Sequence, residues 1–115
     1  MVHPTLADPR EAIPEMVRRI VERFHPEKII LFGSHSRGDA GPDSDVDLMV
    51  LFSEVEDRRK RAGEIYALLS GILLPTDVIV TTAVRMRDFQ DVPNSIYWPV
   101  SREGKTLYER ESEDH

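Results

Sequence analysis

The first part of the chain carries apolar residues at helical spacing. Between Pro14 and Phe24 the apolar side chains recur every three or four residues, which predicts an amphipathic helix. A capping start at Asp8 is also present, but it would place Pro14 inside a helix, where proline removes a backbone hydrogen bond. We therefore predict that this helix begins at Pro14 and ends at Phe24.

Four segments carry the apolar or β-branched patterns that are typical of strands. The first is apolar at consecutive positions, as expected for a central strand that is covered on both faces. The second begins with acids at alternate positions, and the last follows a glycine turn as an edge strand. The predicted strands are Lys28–Phe32, Asp45–Phe52, Thr76–Thr82 and Lys105–Glu109.

Helices are predicted between these strands. Ser53 and Glu56 match a capping box that opens a helix, and Gly71 marks the end of that helix. Ser34 is a good N-cap for a short helix or tight turn after the first strand. Two further short helices are predicted over Val84–Asp91 and Ser95–Arg102.

The order of the elements predicts one small α/β domain (α+β) over residues 1–115, with helices packed on a mixed three- to four-stranded sheet. The tails, residues 1–9 and 110–115, are expected to be frayed. A chain of 115 residues is large enough for a single core. Its 40% hydrophobic and 31% charged residues are ordinary for a globular protein.

The composition argues against several classes of protein. The net charge of −6 disfavours a general nucleic-acid binder, which needs a basic surface to neutralise phosphates. The basic run Arg58–Arg61 is therefore interpreted as a solvated helix face. No apolar run approaches the length that spans a membrane. The chain has no cysteine, which excludes a disulfide framework and a thiolate metal site and suits a cytoplasmic protein.

Two acids at the start of the second predicted strand are candidates for chemistry. Asp45 and Asp47 point to one face of the strand, while Val46 and Leu48 point to the other. Two carboxylates on one face repel each other unless a positive charge lies between them. Mg²⁺ takes one or two carboxylates together with substrate phosphates, so the pair is a candidate metal site. A solvated edge strand is the alternative interpretation.

The residues around this pair form a longer motif. Gly33-Ser34, Arg37-Gly38 and Ser44-Asp45-Val46-Asp47-Leu48 resemble the Gly-Ser, Arg-Gly and Ser-Asp-x-Asp-Leu signature of the polymerase β-type nucleotidyltransferase superfamily. The short chain is similar to the minimal nucleotidyltransferases, which are partners of HEPN-domain proteins in bacterial and archaeal gene pairs. The resemblance is close in the middle of the chain and loose at its ends.

The resemblance implies a polymerase β palm-like fold and the transfer of AMP from ATP to a hydroxyl group with Mg²⁺, two ions in all. In the family pattern Asp45 and Asp47 are catalytic metal ligands, and Asp77 matches the third acid. The implied partner is a HEPN toxin that is modified on a tyrosine, which would make this chain the antitoxin. The positions that match nucleotide and phosphate binding are Gly33, Ser34, Arg37 and Ser44.

Several of these positions have a second interpretation. Asp77 also suits a turn between a helix and a strand, and Arg37 either contacts phosphate or fixes the loop by pairing with a carboxylate. His35 departs from the family pattern, in which a basic residue often follows Gly-Ser, so phosphate binding there is expected to be modest or pH-dependent. Packing, rather than stacking on adenine, is the interpretation for Tyr66, Tyr97 and Trp98.

Two other functions compete with the enzymatic one. A domain of this size has no room for its own acceptor pocket, so a partner must provide the acceptor, and the same surface could neutralise a toxin by covering it. Adenylylation of a small antibiotic is disfavoured, because the second domain that usually shapes such a pocket is missing. Three acids favour the enzyme, since masking gives no reason to place repelling carboxylates in one site.

Overall fold

The computed structural model of the chain describes residues 6–41 and 44–111. Of the tails predicted to be frayed, 1–9 and 110–115, residues 1–5 and 112–115 lie outside these ranges. The described parts are held in place, since Leu6 forms a β-bridge with Ile72, Pro9 begins the first helix and the backbone N–H of Arg110 donates to the carbonyl of Glu27. None of the helices in the described part of the chain is long and apolar enough to cross a membrane. The elements are α1 (Pro9–Phe24), β1 (Lys28–Phe32), α2 (Ser34–Arg37), β2 (Val46–Phe52), α3 (Arg58–Leu68), β3 (Thr76–Thr82), α4 (Ala83–Phe89), α5 (Tyr97–Glu103) and β4 (Lys105–Glu109).

The four strands form one mixed sheet in the order β3-β2-β1-β4. Strand β1 is antiparallel to both of its neighbours, whereas β2 and β3 are parallel and are connected through α3. A parallel pair requires such a crossover, because a tight hairpin can only join antiparallel strands. The small α+β domain with a mixed four-stranded sheet confirms the predicted fold class.

Helices α1 and α3 cover one face of the sheet, which we call the α1 face. Val46 and Leu48 of β2 are completely buried there, against Met16 and Ile20 of α1 and Ile65 of α3. The alternation predicted for the start of β2 is therefore correct, since the two apolar residues point away from the acids that flank them.

Helix α5 covers the other face, which we call the α5 face. Met49 and Leu51 of β2 pack there with Tyr97 and Val100 of α5. The buried hydroxyl of Thr81 forms a hydrogen bond of 2.7 Å with the hydroxyl of Tyr97, so neither polar group is left without a partner. Tyr97 is thus a packing residue, as predicted.

Helix α1 begins earlier than predicted. It begins at Pro9 instead of Pro14, and Asp8 is its N-cap, with a carboxylate that accepts a hydrogen bond of 2.9 Å from the backbone N–H of Arg10. Pro14 lies inside the helix and leaves the carbonyl of Arg10 without its usual donor. Both residues are exposed, so water can supply that hydrogen bond.

Helix α3 begins later than predicted, and the capping box at Ser53 is wrong. The N-cap is Asp57, whose carboxylate accepts a hydrogen bond of 3.0 Å from the backbone N–H of Lys60. The hydroxyl of Ser53 instead donates to the carboxylate of Glu27, 2.6 Å away. The bounds of α4, α5 and β2 differ from the predicted ones by one or two residues.

Candidate functional site

The register of the sheet places two of the candidate acids side by side. Asp47 of β2 lies opposite Phe32 of β1 and, on its other side, opposite Asp77 of β3. Residues directly opposite each other in a sheet point to the same face. Asp47 and Asp77 therefore share the α5 face, at the end of the sheet where β1 ends and β2 and β3 begin. Asp45 immediately precedes β2 at the same end.

The carboxylate of Asp47 lies against the backbone of Gly33. Gly33 has φ 76° and ψ −158°, a combination that is essentially restricted to glycine. A Cβ atom at this position would overlap a carboxylate oxygen of Asp47 and would lie 3.2 Å from its Cγ. The sequence motif thus needs glycine here for two reasons, the backbone conformation and the space that Asp47 occupies.

Asp47 is the candidate acid with the perturbed ionisation. Burial raises the pKa of its carboxyl group, and the negative charges of Asp77 and Asp45 raise it further. The charges of His35 and Arg37 oppose this effect without cancelling it. Asp45 and Asp77 are exposed, whereas Asp47 is half-buried. Negative charge therefore accumulates at this end of the sheet, and the nearby His35 and Arg37 compensate for it only in part.

The three carboxylates have the chemistry of a site for a divalent cation. Hard cations such as Mg²⁺ prefer carboxylate oxygens, and a cation would relieve the repulsion that raises the pKa of Asp47. Among the described residues, no three acidic or histidine side chains already converge on one point. The donors fit the ion, and the exposed side chains of Asp45 and Asp77 have room to turn toward it.

The turn after β1 follows Gly33 directly. The backbone N–H groups of Ser36 and Arg37 both donate to the carbonyl of Gly33, each at 3.1 Å. Gly33 is therefore the N-cap of α2, and Ser34 is its first helical residue, so the prediction of Ser34 as N-cap is wrong by one position. The backbone N–H groups of Ser34 and His35 come earlier in the chain than that of Ser36, which is the first N–H to bond within the turn.

Arg37 forms ion pairs in this structure. Its guanidinium lies 3.3 Å from the carboxylate of Asp39 and 3.2 Å from that of Glu103 at the end of α5. Hydrogen bonds from Arg37 to these two acids raise its pKa, with Glu103 the larger contribution. The hydroxyl of Ser36 also donates to the backbone carbonyl of Glu103. The turn is thus fastened to α5 at two points.

Ser44 closes the loop that precedes β2. Its hydroxyl accepts a hydrogen bond of 2.8 Å from the backbone N–H of Gly41. Its carbonyl lies 3.3 Å from Nε2 of His35, which connects the loop to α2. Gly33, Ser34, Arg37 and Ser44 therefore surround the same end of the sheet as the acids.

Sequence reasoning missed Glu103. It lies 66 residues from Arg37 along the chain and occupies no recognisable motif. Its role depends on the packing of α5 against the sheet, which a local pattern does not specify.

The sequence matches the profile of the nucleotidyltransferase domain family over residues 13–106, which extends from α1 into β4. This range covers most of the chain. The chain belongs to the nucleotidyltransferase domain family.

Among similar proteins, the protein adenylyltransferase MntA of Thermococcus cleftensis is 32% identical over 70% of this chain and 82% of its own length. A Methanocaldococcus jannaschii protein, provisionally named a protein adenylyltransferase, is 29% identical over 85% of this chain and 96% of its own length. A second M. jannaschii protein with the same provisional name is 34% identical over 49% of this chain. That similarity spans 65% of the second protein's length, which is just under two thirds.

Solved structures share the fold. A Sulfolobus solfataricus protein, provisionally named a nucleotidyltransferase, superposes with a TM-score of 0.62 at 20% identity, over 87% of this chain and 79% of its own. A chain of a toxin–antitoxin structure with AMP-PNP superposes with a TM-score of 0.52 at 24% identity, over 86% of this chain and 72% of its own. At these identities the likeness establishes the nucleotidyltransferase fold.

Proposed function

We propose that this chain transfers AMP from ATP to a hydroxyl group of a partner protein. The partner is a HEPN-domain toxin, the acceptor is one of its tyrosines, and the modification makes this chain the antitoxin. Membership of the nucleotidyltransferase domain family supports the reaction class. The names of the adenylyltransferase relatives support AMP as the transferred group, and the toxin–antitoxin neighbour supports the kind of partner.

One observation carries this proposal above all: Asp47 is held between Gly33 and Asp77. The register places the two carboxylates opposite each other, and the backbone of Gly33 passes directly beside Asp47. A phosphate that approaches Gly33 therefore arrives next to the acids. Nucleotidyl transfer requires this proximity, because the reacting phosphorus and the groups that stabilise its charge must meet at one point.

Asp45, Asp47 and Asp77 are the residues that would hold Mg²⁺, with two ions expected from the family pattern. When bound, the metal supplies positive charge at the phosphate oxygens. Gly33 lets the triphosphate approach the backbone closely, since no side chain intervenes. The amide and hydroxyl of Ser34 are the donors next to it.

Two further residues have roles in this reaction: Asp77 takes up the proton of the acceptor hydroxyl, and Arg37 contacts the triphosphate. The acceptor oxygen forms a bond to the α-phosphorus while the bond to pyrophosphate breaks, and Asp77 accepts the hydroxyl proton. Asp77 suits this role because it is exposed at the end of the edge strand, where an acceptor from another protein can reach it. Arg37 contacts the triphosphate when it exchanges Asp39 or Glu103 for phosphate oxygens.

Intact-mass spectrometry tests the proposal. The protein encoded by the neighbouring gene is incubated with this chain, ATP and Mg²⁺, and its mass should increase by one or more AMP units. Asp45→Asn and Asp47→Asn should each abolish the increase. Glu22→Gln is the matched control, because it removes one carboxylate charge from α1, on the other face of the sheet from Asp47, where the Glu22 side chain is 66% exposed. Full transfer by both site variants would refute the assignment.

The masking alternative gives a different result in the same experiment. If the chain neutralises its partner by covering it, the two proteins form a stable complex and the mass of the partner does not change. Neutralisation of the toxin in cells by Asp47→Asn would show that masking is sufficient and that the transfer reaction is not required.

A further inference from the structure

We propose that Glu103 is a positioning residue for nucleotide binding: its carboxylate competes with phosphate for the guanidinium of Arg37, so a nucleotide must displace it. Glu103 thus sets how tightly the chain binds a nucleoside triphosphate with Mg²⁺, although it does not touch the nucleotide itself. This role of Glu103 rests on the nucleotide site of the proposed function but not on transfer to any acceptor.

Two acids from different parts of the chain hold the guanidinium of Arg37. Its Nε donates to the carboxylate of Asp39 at 3.3 Å, and its Nη1 donates to the carboxylate of Glu103 at 3.2 Å. A guanidinium binds phosphate most strongly through two parallel N–H donors, either Nε with Nη2 or Nη1 with Nη2. Asp39 takes one donor of the first pair, and Glu103 takes one donor of the second. Bidentate binding of phosphate therefore requires that one of the two acids leave.

The place of Glu103 is fixed by tight packing where α5 ends. Gly104 follows it directly, and a Cβ atom there would overlap the carbonyl oxygen of Val100 and lie 2.6 Å from Cγ2 of Ile30 in β1. The hydroxyl of Ser36 donates to the backbone carbonyl of Glu103, so this contact between the turn and α5 does not involve the carboxylate. Glu103 therefore stays beside the turn, and only its side chain has to move for the guanidinium to be released.

Asp39 is the poorer candidate for the exchange with phosphate. It lies two residues from Arg37, so it remains next to the guanidinium wherever the turn moves. Of the two hydrogen bonds, the one to Glu103 does more to raise the pKa of Arg37. Removal of the Glu103 carboxylate should therefore change the availability of Arg37 more. It leaves Asp39 on Nε and opens the Nη1 and Nη2 donors to phosphate.

Arg37 lies close enough to the candidate metal acids to act on a phosphate there. Its charge is among those that oppose the rise in the pKa of Asp47. Gly33, whose backbone lies against Asp47, is the N-cap of α2, and Arg37 is about one helical turn further along. The side chains of Arg37 and Glu103 are 45% and 44% exposed, and an ion pair in such a place is weak. A triphosphate can therefore displace the carboxylate.

Competition of this kind affects the binding of the nucleotide more than the reaction step. The carboxylate is displaced in the bound substrate and in the transition state alike, so its removal should lower the KM for ATP much more than it changes kcat. An exposed ion pair corresponds to about a two- to fivefold change in an equilibrium constant. A purely structural role of Glu103 predicts the opposite change, because a loosened turn should bind ATP more weakly and be less stable.

Isothermal titration calorimetry with ATP and Mg²⁺, in the absence of any acceptor, tests this role. Glu103→Gln should bind ATP about two- to fivefold more tightly than the wild type, with a nearly unchanged urea midpoint. Glu22→Gln is the matched control, because it removes the same charge and an exposed ion pair, 2.6 Å from Arg18, on the other face of the sheet. It should leave the affinity for ATP unchanged. In an Arg37→Gln background, Glu103→Gln should have no effect, because no guanidinium remains to be released.

Several results would overturn the proposal. Equal or weaker binding of ATP by Glu103→Gln would exclude competition, and the same gain in the Arg37→Gln background would indicate a general effect of charge. An equal gain from Ser36→Ala, which loosens the turn but keeps the ion pair, would exclude a role through Arg37. Absence of ATP binding by both the wild type and Glu103→Gln would exclude the exchange altogether.

The mass of the partner protein reports on transfer separately. Tighter ATP binding by Glu103→Gln without any increase in the mass of the partner would support this role of Glu103 and refute the transfer reaction. An increase in mass together with an unchanged affinity of Glu103→Gln for ATP would refute the role of Glu103 and leave the transfer reaction in place.

Discussion

Replacing Gly33 with alanine is the sharpest single test of how the site is built. Gly33 directly follows β1, is the N-cap of α2 and lies against Asp47. The change Gly33→Ala adds one methyl group. The alanine must adopt a backbone conformation that favours glycine. Its methyl group must also occupy the space of a carboxylate oxygen of Asp47.

The structure sets the expected magnitude. A non-glycine residue at φ 76° and ψ −158° costs about 1–3 kcal/mol. The side chain of Asp47 must also move out of the way of the new methyl group, and an off-rotamer χ angle costs about 0.5–1.5 kcal/mol. We therefore expect Gly33→Ala to lower the free energy of unfolding by roughly 2–4 kcal/mol. For a domain of this size, that corresponds to a decrease in Tm of roughly 8–15 °C.

Urea denaturation followed by circular dichroism measures this loss. Gly63→Ala is the matched control, because Gly63 lies inside α3, has no positive φ and has no atom within 4 Å of its added Cβ. There the same methyl group should raise the free energy of unfolding by about 0.5–1 kcal/mol, since alanine favours a helix more than glycine does. The same methyl group should thus have opposite effects at the two glycines.

A second measurement, of AMP transfer by the folded Gly33→Ala variant, tests whether Asp47 has been displaced. At a temperature where Gly33→Ala remains folded, displacement of Asp47 should reduce AMP transfer by more than the unfolded fraction explains. The reasoning is refuted if Gly33→Ala is as stable as the wild type, or if it loses stability but retains full transfer activity when folded.

Two other changes test the charges of the molecule. Burial and the charge of Asp77 raise the pKa of Asp47, so its ionisation opposes folding at neutral pH, and this penalty disappears as the pH falls below the unfolded value. Asp47→Asn should therefore raise the urea midpoint at pH 7 in magnesium-free buffer and change it little at pH 3. Hydrogen bonds from Arg18 and Arg19 lower the pKa of Glu15 to about 2, a stabilisation that is present above pH 4.5 and lost toward pH 2. Glu15→Gln should cost about 1 kcal/mol at pH 7 by urea denaturation, less than the pKa shift implies because solvent screens the arginines, and almost nothing near pH 2.

The strands were the most predictable part of the fold. The ranges Lys28–Phe32, Thr76–Thr82 and Lys105–Glu109 agree with the structure residue for residue. Each has a continuous apolar, β-branched or alternating pattern with a turn residue next to it, so local preference and tertiary packing favour the same conformation.

The helix starts were less predictable, because several caps competed within a few residues. The sequence pattern favours Pro14 over Asp8 as the start of α1, but Asp8 is the N-cap, because water can bind the exposed carbonyl that Pro14 leaves free. Ser53 and Glu56 formed the better capping motif, but Ser53 is bound to Glu27 across the strand ends, and Asp57 caps α3. A local motif does not show that another part of the chain already uses its hydroxyl.

The sequence by itself determined which residues form the candidate site. Gly33, Ser34, Asp45 and Asp47 belong to one short motif, and the period of two in β2 places the acids on one face because side chains alternate along a strand. Those relations are local, so they can be read from the order of residues.

Only the tertiary structure decided how distant residues meet. Two relations depend on the order β3-β2-β1-β4 and on the packing of α5: the register that sets Asp77 beside Asp47, and the ion pair of Arg37 with Glu103. Burial and the neighbouring acids, not the identity of Asp47, raise its pKa. The physical reason is that desolvation and charge repulsion depend on distances through space, which the spacing of residues along the chain does not contain.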